Sequence, residues 1–216
     1  LSESEWRKAT ASFERDEEGN RWTNRGALPK SWSVTTAGIT FKLSGTDFGH
    51  LGIFPEQRDQ WRWITETVRK ASAERAKPVQ VLNLFAYSGG STLAAALGGA
   101  EVCHLDASKG MVKGARENTG LNGLTEHPIR WITDDAHKFL SREVRRERRY
   151  DAVILDPPTF GRGQNGEMYK IERDLPDTLK LCRALLTDKP LFIILSAHTP
   201  GYSPVVLNNV LSQSVE

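Results

Sequence analysis

Asp156, Pro157, Pro158, Thr159 and Phe160 follow directly on the apolar run "DAVIL" (151–155), an odd way to leave a strand. Two prolines in tandem neither extend a sheet nor open a relaxed helix, because each lacks an N–H and fixes its own φ. The segment must turn stiffly, and the carbonyl oxygens along the turn are left without backbone partners. An acid side chain beside unpaired carbonyls on a rigid corner is equipped to hold something.

A second group of residues lies upstream. Phe85, Ala86, Tyr87, Ser88, Gly89 and Gly90, within "FAYSGGS" (85–91), form a small-residue loop that runs into a helix-like stretch. Glycines there let the backbone approach a ligand, and a helix N-terminus offers free N–H groups. Packing alone would also favour small residues at such a turn, and the G-x-G-x-x-G spacing of a pyrophosphate loop is missing. Asp106 ends the next strand-like run, sixteen residues past Gly90, where a carboxylate can bond the two hydroxyls of a ribose. Ala107 and Ser108 follow it, and capping the helix "ASKGMVKGA" is the alternative role for Asp106. Asp134 and Asp135 close a third run; Asp135, followed by Ala136, either accepts a bond from an adenine amino group or caps the next helix. Glycine turn and acids project onto one edge of one sheet and describe an adenosine pocket. A nicotinamide cofactor would use the first two features as well, so the fourth strand with its Asp156 corner must decide.

The elements that position these residues are legible as an alternation. Strand-like runs at "VQVLNLF", "AEVCHLD", "IRWIT", "DAVILD" and "PLFIIL" are separated by helix-like stretches at about 91–98, 108–120, 136–147 and 170–188. Strand, helix, strand in this order predicts right-handed crossovers and an α/β, doubly wound, mostly parallel sheet, and continuously apolar strands agree with burial on both faces. From Glu56 to about Lys77, Trp61, Ile64, Val68 and Ala71 recur at helical spacing, so an amphipathic helix ends at Pro78. Residues 1–55, with Gly, Thr, Ser and Trp at turn-like intervals and the alternating "GITFKL", read as a small β-rich N-terminal arm; residues 56–216 read as the main domain.

With these elements in place, "DPPTF" resembles the Asn/Asp-Pro-Pro-aromatic motif of class I S-adenosylmethionine-dependent methyltransferases, a Rossmann-like fold. The resemblance implies that Asp156 and the Pro157 carbonyl accept hydrogen bonds from a planar amine while an aromatic ring stacks on the base. Thr159 occupies the usual aromatic place, which passes that role to Phe160. Two acceptors would hold the amine lone pair toward the methyl and draw off positive charge.

A wider resemblance covers most of residues 38–200. "FGHLGIFPEQRDQW", "LNLFAYSGGSTLAAALGGA", "LDASKGMVKGARENTGLNGL" and "VILDPPTFGRG" are similar to bacterial enzymes that methylate large-subunit ribosomal RNA at guanine N2 or cytosine C5. It implies S-adenosylmethionine as cofactor, an RNA partner, and Phe54 and Gln57 beside the cofactor, ordinary packing being the other reading of those two. Attack through cytosine C5 needs a cysteine nucleophile just after the fifth strand. "FIILSAHTPG" places Ser196 and Ala197 there, so transfer to an exocyclic base amine, most directly guanine N2 in ribosomal RNA, is the favoured expectation. His198 stands near the same mouth as a substrate contact, a proton shuttle or a plain loop residue, and Arg162, Lys170 and Arg173 are placed to meet phosphates. The rivals are methylation of a protein side-chain amide or small planar amine, a non-catalytic adenosine- or RNA-binding module, and a nicotinamide oxidoreductase.

Composition narrows the setting without naming a partner. A net charge of +2 over 216 residues neither demands nor excludes nucleic acid. Cys103 and Cys182 stand far apart without paired-cysteine spacing, which argues against a disulfide framework or a zinc site and for a reducing, cytoplasmic setting with no metal. No apolar run approaches the roughly 20 residues of a membrane span, and "LSESEWRKAT" has no signal-peptide pattern. "SREVRRERRY" (141–150) carries five arginines and two glutamates and reads either as an RNA-binding patch or as a solvated helix end leading away from the chemistry. The chain stops at "VLSQSVE", in what reads as the helix after the fifth strand, and begins like mid-protein sequence. The expectation is a fragment lacking an N-terminal RNA-binding domain and the last strands of the sheet.

Overall fold

The computed structural model of the chain describes residues 2–16, 19–47, 49–163 and 166–215. The quoted "FGHLGIFPEQRDQW" is thus described from Gly49 and "VLSQSVE" as far as Val215; Phe48 and Glu216 lie outside the described residues. A short helix α1 (Glu3–Trp6) precedes two antiparallel hairpins, β1 (Ser12–Asp16) with β2 (Gly19–Thr23) and β3 (Trp32–Thr36) with β4 (Ile39–Leu43). One 3₁₀ turn then leads into α2 (Arg58–Ala73). The alternation follows: β5 (Gln80–Leu84), α3 (Gly90–Leu97), β6 (Glu101–Asp106), α4 (Lys109–Leu121), β7 (Ile129–Thr133), α5 (Ala136–Arg145) and β8 (Ala152–Leu155). A small hairpin, β9 (Phe160–Arg162) with β10 (Met168–Lys170), precedes α6 (Ile171–Ala184), β11 (Phe192–Leu195) and α7 (Pro204–Val215).

The five central strands are all parallel, in the order β11-β8-β5-β6-β7. Chain order runs outward from β5 in one direction through β6 and β7, then reverses to β8 and β11. The crevice between the carboxyl ends of β5 and β8 is the topological switch point, where ligands sit in such sheets.

Each sheet face is buried under its own core. Successive side chains of a strand point to opposite faces, and β5 sends Val81 into one cluster and Leu82 and Leu84 into the other. The first cluster gathers Trp61, Ile64 and Val68 of α2, Leu93 to Ala96 of α3, and Ile39, Phe41 and Leu43 of β4. The second gathers Phe139 and Leu140 of α5 and Leu175 and Leu179 of α6. The hairpin β3–β4 therefore shares the sheet's core. Asn118 of α4 and Asn122, which caps its carboxyl end, hold it: Asn118 Oδ1 accepts the Lys42 N–H at 2.9 Å, and Asn122 both accepts from and donates to Thr40 at 2.8 Å.

Two details were not visible in the sequence. The β9–β10 hairpin, only three residues a side, is too short for an alternation to register. And α6 ends at Ala184, four residues before the expected 188, where Tyr150, two residues before β8, bonds Leu185 O and Thr187 N–H and forms a parallel bridge with Leu186.

A buried polar chain links β5, α3 and β6. Asn83 Nδ2 donates to Thr92 Oγ1 at 2.8 Å, and Thr92 Oγ1 lies 2.9 Å from His104 Nδ1. His104 Nε2, the other ring nitrogen, has no hydrogen-bond partner among the described residues. Burial pushes the His104 pKa from 6.5 down to about 3. A folded-state value below the unfolded one means that this neutral imidazole stabilises fully above about pH 6.5 and progressively less as pH falls toward 3. Urea midpoints are expected to drop between pH 7.5 and pH 5, with a smaller drop in His104→Gln.

Candidate active site

The loop leaving β5 is strained and over-determined. Phe85, Tyr87 and Gly89 all have left-handed backbone conformations, with φ of 55°, 49° and 90°. For the two non-glycine residues this costs about 1–2 kcal/mol each. Four hydrogen bonds hold the loop: Ala86 N–H to Leu105 O at 3.0 Å, Gly89 N–H to Ala86 O at 3.0 Å, Tyr87 N–H to Asp106 Oδ2 at 2.9 Å, and Asn118 Nδ2 to Ser88 O at 3.0 Å. Asn118 thus braces the arm and this loop together. Strain kept this way at a strand end marks a functional position.

Packing also claims the glycines. A Cβ on Gly90 would stand 2.5 Å from the Trp61 ring, and one on Gly89 would stand 3.0 Å from Ala115 Cβ. The crossing of α2 over α3 and the packing of this loop against α4 therefore call for small residues here.

Asp106 turns both carboxylate oxygens to backbone donors, Oδ2 to Tyr87 N–H and Oδ1 to Ser108 N–H at 2.8 Å. Burial raises its pKa, and those two bonds pull it back. Capping of α4 falls instead to Ser108, whose Oγ accepts the Met111 N–H. Since each carboxylate oxygen has two lone pairs, Asp106 keeps acceptor capacity toward the cavity it lines.

That cavity has a volume of about 970 Å³ and opens over the switch point. Of the residues singled out from the sequence, Gln57, Phe85, Tyr87, Asp106, Ala107, Ser108, Asp135, Ala136, Asp156 and Pro158 line it, as do Phe54, Ser196, Ala197, His198 and Arg162. A smaller cavity of about 50 Å³ adjoins it under the loop, lined by Ala86, Ser88 and Gly90 and sharing Phe54, Gln57, Phe85, Tyr87, Asp156 and Ser196. Asp135 caps α5, accepting the Lys138 N–H on Oδ1 at 2.9 Å, which is the capping role left open above. Asp134 is taken up by an ion pair with Arg142.

At the fourth strand, Asp156 lines both cavities, and Pro157 is buried behind it. Among the described residues no hydrogen bond reaches the Pro157 carbonyl. Burial raises the Asp156 pKa above 3.8, while the Ser196 hydroxyl and His198 lower it. Phe160 lines neither cavity: it sits on the outer face of β9, 54% exposed, with the Lys170 ammonium 5.5 Å from its ring centroid. Exposure alternates along β9, with Phe160 and Arg162 exposed on either side of a partly buried Gly161.

Sequence reasoning anticipated Phe54 in the wall but missed two other residues of the arm. Arg15 and His50 line the large cavity, and Phe54 packs on Tyr87 with ring centroids 5.0 Å apart. No local pattern marks Arg15, which arrives by hairpin placement alone. The Asn118 and Asn122 pair, four apart on one face of α4, was a readable signal for the brace. Among the described residues no cluster of three or more His, Cys, Asp or Glu could hold a metal, and no helix is long and apolar enough to cross a membrane.

A doubly wound sheet with an acid after its second strand and a nucleoside-sized cavity at its switch point defines an α/β nucleoside-binding protein. Residues 11–191 match the family model described as S-adenosylmethionine-dependent methyltransferase, and the chain belongs to that family. It is 34% identical over 155 residues to Ribosomal RNA large subunit methyltransferase K/L of Shewanella amazonensis, covering 71% of this chain and 20% of that protein. The Shewanella loihica counterpart is 32% identical over 175 residues, covering 80% and 23%. The chain thus spans about a fifth of the length of these curated relatives. Among solved structures, a SAM-dependent methyltransferase from Agrobacterium tumefaciens superposes with a TM-score of 0.91 at 39% identity, covering 100% of this chain and 68% of that one. A putative methyltransferase complexed with SAH shares the fold, with a TM-score of 0.74 at 22% identity over 87% of this chain and 47% of its own.

S-adenosylmethionine is the family's cofactor, and the chemistry of the donor set fits it: an acid with spare lone pairs at the tip of β6 suits ribose hydroxyls. Hydrogen bonds to a charged acceptor contribute about 1.5–3 kcal/mol each. Asp106→Ala is therefore expected to weaken S-adenosylmethionine binding at least about tenfold by titration calorimetry, with the fold retained by circular dichroism.

Proposed function

We propose that this chain transfers the methyl group of S-adenosylmethionine to a nitrogen on a base of RNA, most directly the exocyclic N2 of a guanine in ribosomal RNA. The observation that carries the reading is the corner after β8. There the Asp156 carboxylate lines the cavity that Asp106, Phe85 and Tyr87 also line, and the neighbouring Pro157 carbonyl accepts no hydrogen bond among the described residues. The names of the curated relatives support ribosomal RNA as the substrate class.

Bound S-adenosylmethionine supplies an electrophilic methyl on a sulfonium, so no metal is required for the transfer. The chain's own residues hold the amine. Asp156 and the Pro157 carbonyl accept its two N–H bonds, which fixes the plane of the group and aims its lone pair into the cavity. As the N–CH₃ bond forms and the S–CH₃ bond breaks, positive charge grows on nitrogen beside an ionised Asp156, and this carboxylate stabilises it. The surplus proton leaves toward Asp156 or the solvent-exposed His198. Tyr87, Phe54 and Pro158 exclude water from the reacting atoms. The base must be unpaired or flipped to enter. A flanking base has a ring to stack on in Phe160, with Lys170 beside it for phosphate.

The two thiols speak against carbon methylation. Cys103 and Cys182 are buried, and burial pushes their pKa values up to about 11 and about 12. Neither lines the cavity where Ser196 stands in place of a nucleophilic cysteine. Residues 1–55 read here as an arm that supplies Arg15, His50 and Phe54 to the wall, with residues 56–216 as the catalytic body.

Asp156→Ala is expected to lower kcat for RNA methylation by about 10²-fold or more while leaving S-adenosylmethionine affinity within about twofold; nucleoside mass spectrometry of the product identifies the methylated atom. Methyl incorporation into protein and not RNA would overturn the substrate class. Because the Asp156 pKa is raised, activity is expected to fall on the acid side at a pH above 3.8, where the carboxylate protonates and loses acceptor strength. Asp156→Asn, which keeps an acceptor but cannot titrate, is expected to flatten that limb in a pH–rate profile.

A further inference from the structure

The arginine run at 141–150 divides in the structure between interior pairing and an open cleft. Arg142 pairs with Asp134 at the cofactor edge. Glu143, 1% exposed, takes both guanidinium nitrogens of Arg130 at 2.9 and 2.8 Å and the Tyr150 hydroxyl at 2.7 Å, and Arg146 approaches it at 3.6 Å. Arg145 and Arg146 end α5, where cations complement the helix dipole.

Arg148 and Arg149 lie beyond the helix. The chain leaves α5 by a left-handed turn at Glu147, φ 54°, closed by Glu147 N–H to Val144 O and Arg148 N–H to Glu143 O. This is the bonding of a Schellman turn, a place glycine normally takes. The turn carries Arg148 and Arg149 to the amino-terminal ends of the strands. With Arg130 they line a cleft of about 360 Å³, whose lining has one acid, Glu101, already bonded to Gln80 Nε2 at 2.8 Å. Arg149 Nη1 donates to two carbonyls, Arg148 O and Ala184 O, and to no acid. Among the described residues Arg148 makes no ion pair. Pro128, Ile129 and Tyr150 give the cleft its apolar floor and sides. Two exposed guanidinium forks at a solvent-open cleft, neither in a direct ion pair with a carboxylate among the described residues, fit an anion with several oxygens.

We propose that this cleft is a second contact for the RNA substrate, in which Arg148 and Arg149 seat a backbone phosphate at the sheet edge opposite the methyl-transfer site. The proposal rests on the RNA reading above. Strands of five residues separate the two edges by about 17 Å, so a phosphate held there positions RNA without touching the reaction. The contact belongs in KM and in salt dependence, and not in kcat.

The test is the Arg148→Gln/Arg149→Gln pair, with exposed Arg69→Gln/Lys70→Gln on α2 as a control of equal charge change. A single-stranded RNA oligonucleotide is titrated at several salt concentrations, and methyl transfer is measured at saturating RNA. Loss of one or two phosphate contacts is expected to reduce the slope of log K against log salt by about 0.7 each. KM for RNA is expected to rise several-fold with kcat and S-adenosylmethionine affinity unchanged, and the control to leave the slope at the wild-type value. Unchanged affinity and slope in an RNA-methylating enzyme would overturn the cleft alone. A binding defect in a chain that methylates no RNA would support the cleft and reject the proposed reaction. Displacement of the RNA by micromolar inorganic phosphate would overturn the proposal by revealing a free-anion site.

Discussion

Every strand of the central sheet runs the same way, and a parallel strand can be followed only by a crossover that returns the chain to the starting edge. The carboxyl ends of β5, β6, β7, β8 and β11 therefore meet along one rim, and the reversal of order between β5 and β8 opens that rim into a crevice. Asp106 then makes the crevice rigid. Its carboxylate receives the Tyr87 N–H from one loop and the Ser108 N–H from the next, so a buried charge that would be costly alone is held by two donors. The left-handed residues Phe85 and Tyr87 persist because that bond and its neighbours leave them no other conformation.

The arm and the sheet act as one unit around this rim. Asn118 bonds Lys42 of β4 on one side and Ser88 of the cofactor loop on the other, so the hairpin and the loop cannot shift independently. Trp61 of α2 fills the space that Gly90 leaves. A glycine usually assigned to ligand approach is thus also a packing residue. The two accounts do not compete, since the same missing Cβ satisfies both.

Polar groups of the chain are sorted by edge. The carboxyl rim gathers acids with remaining acceptor capacity, Asp106 and Asp156, both raised in pKa by burial. The amino rim gathers arginines, part of whose charge is absorbed by Glu143 and part left to solvent. A global net charge of +2 does not reveal this division.

What the sequence determined by itself was the periodic part: five apolar strands, the helices between them, the parallel sheet, and acids at the tips of the second, third and fourth strands. Those features follow from local chain chemistry, the alternation of apolar runs with amphipathic ones and the inability of tandem prolines to continue a strand. Only the tertiary structure decided what else each acid holds, because Asp106 bonds the backbone N–H groups of two loops while Asp135 caps α5 through one oxygen, and both still line the cavity. It also left Phe160 exposed, brought Arg15 and His50 to the cavity from more than thirty residues upstream of the loop they face, and split one arginine run between ion pairs of Arg142 and Arg146 and an open cleft. Such assignments depend on contacts between distant segments, and no local pattern encodes which segments will meet.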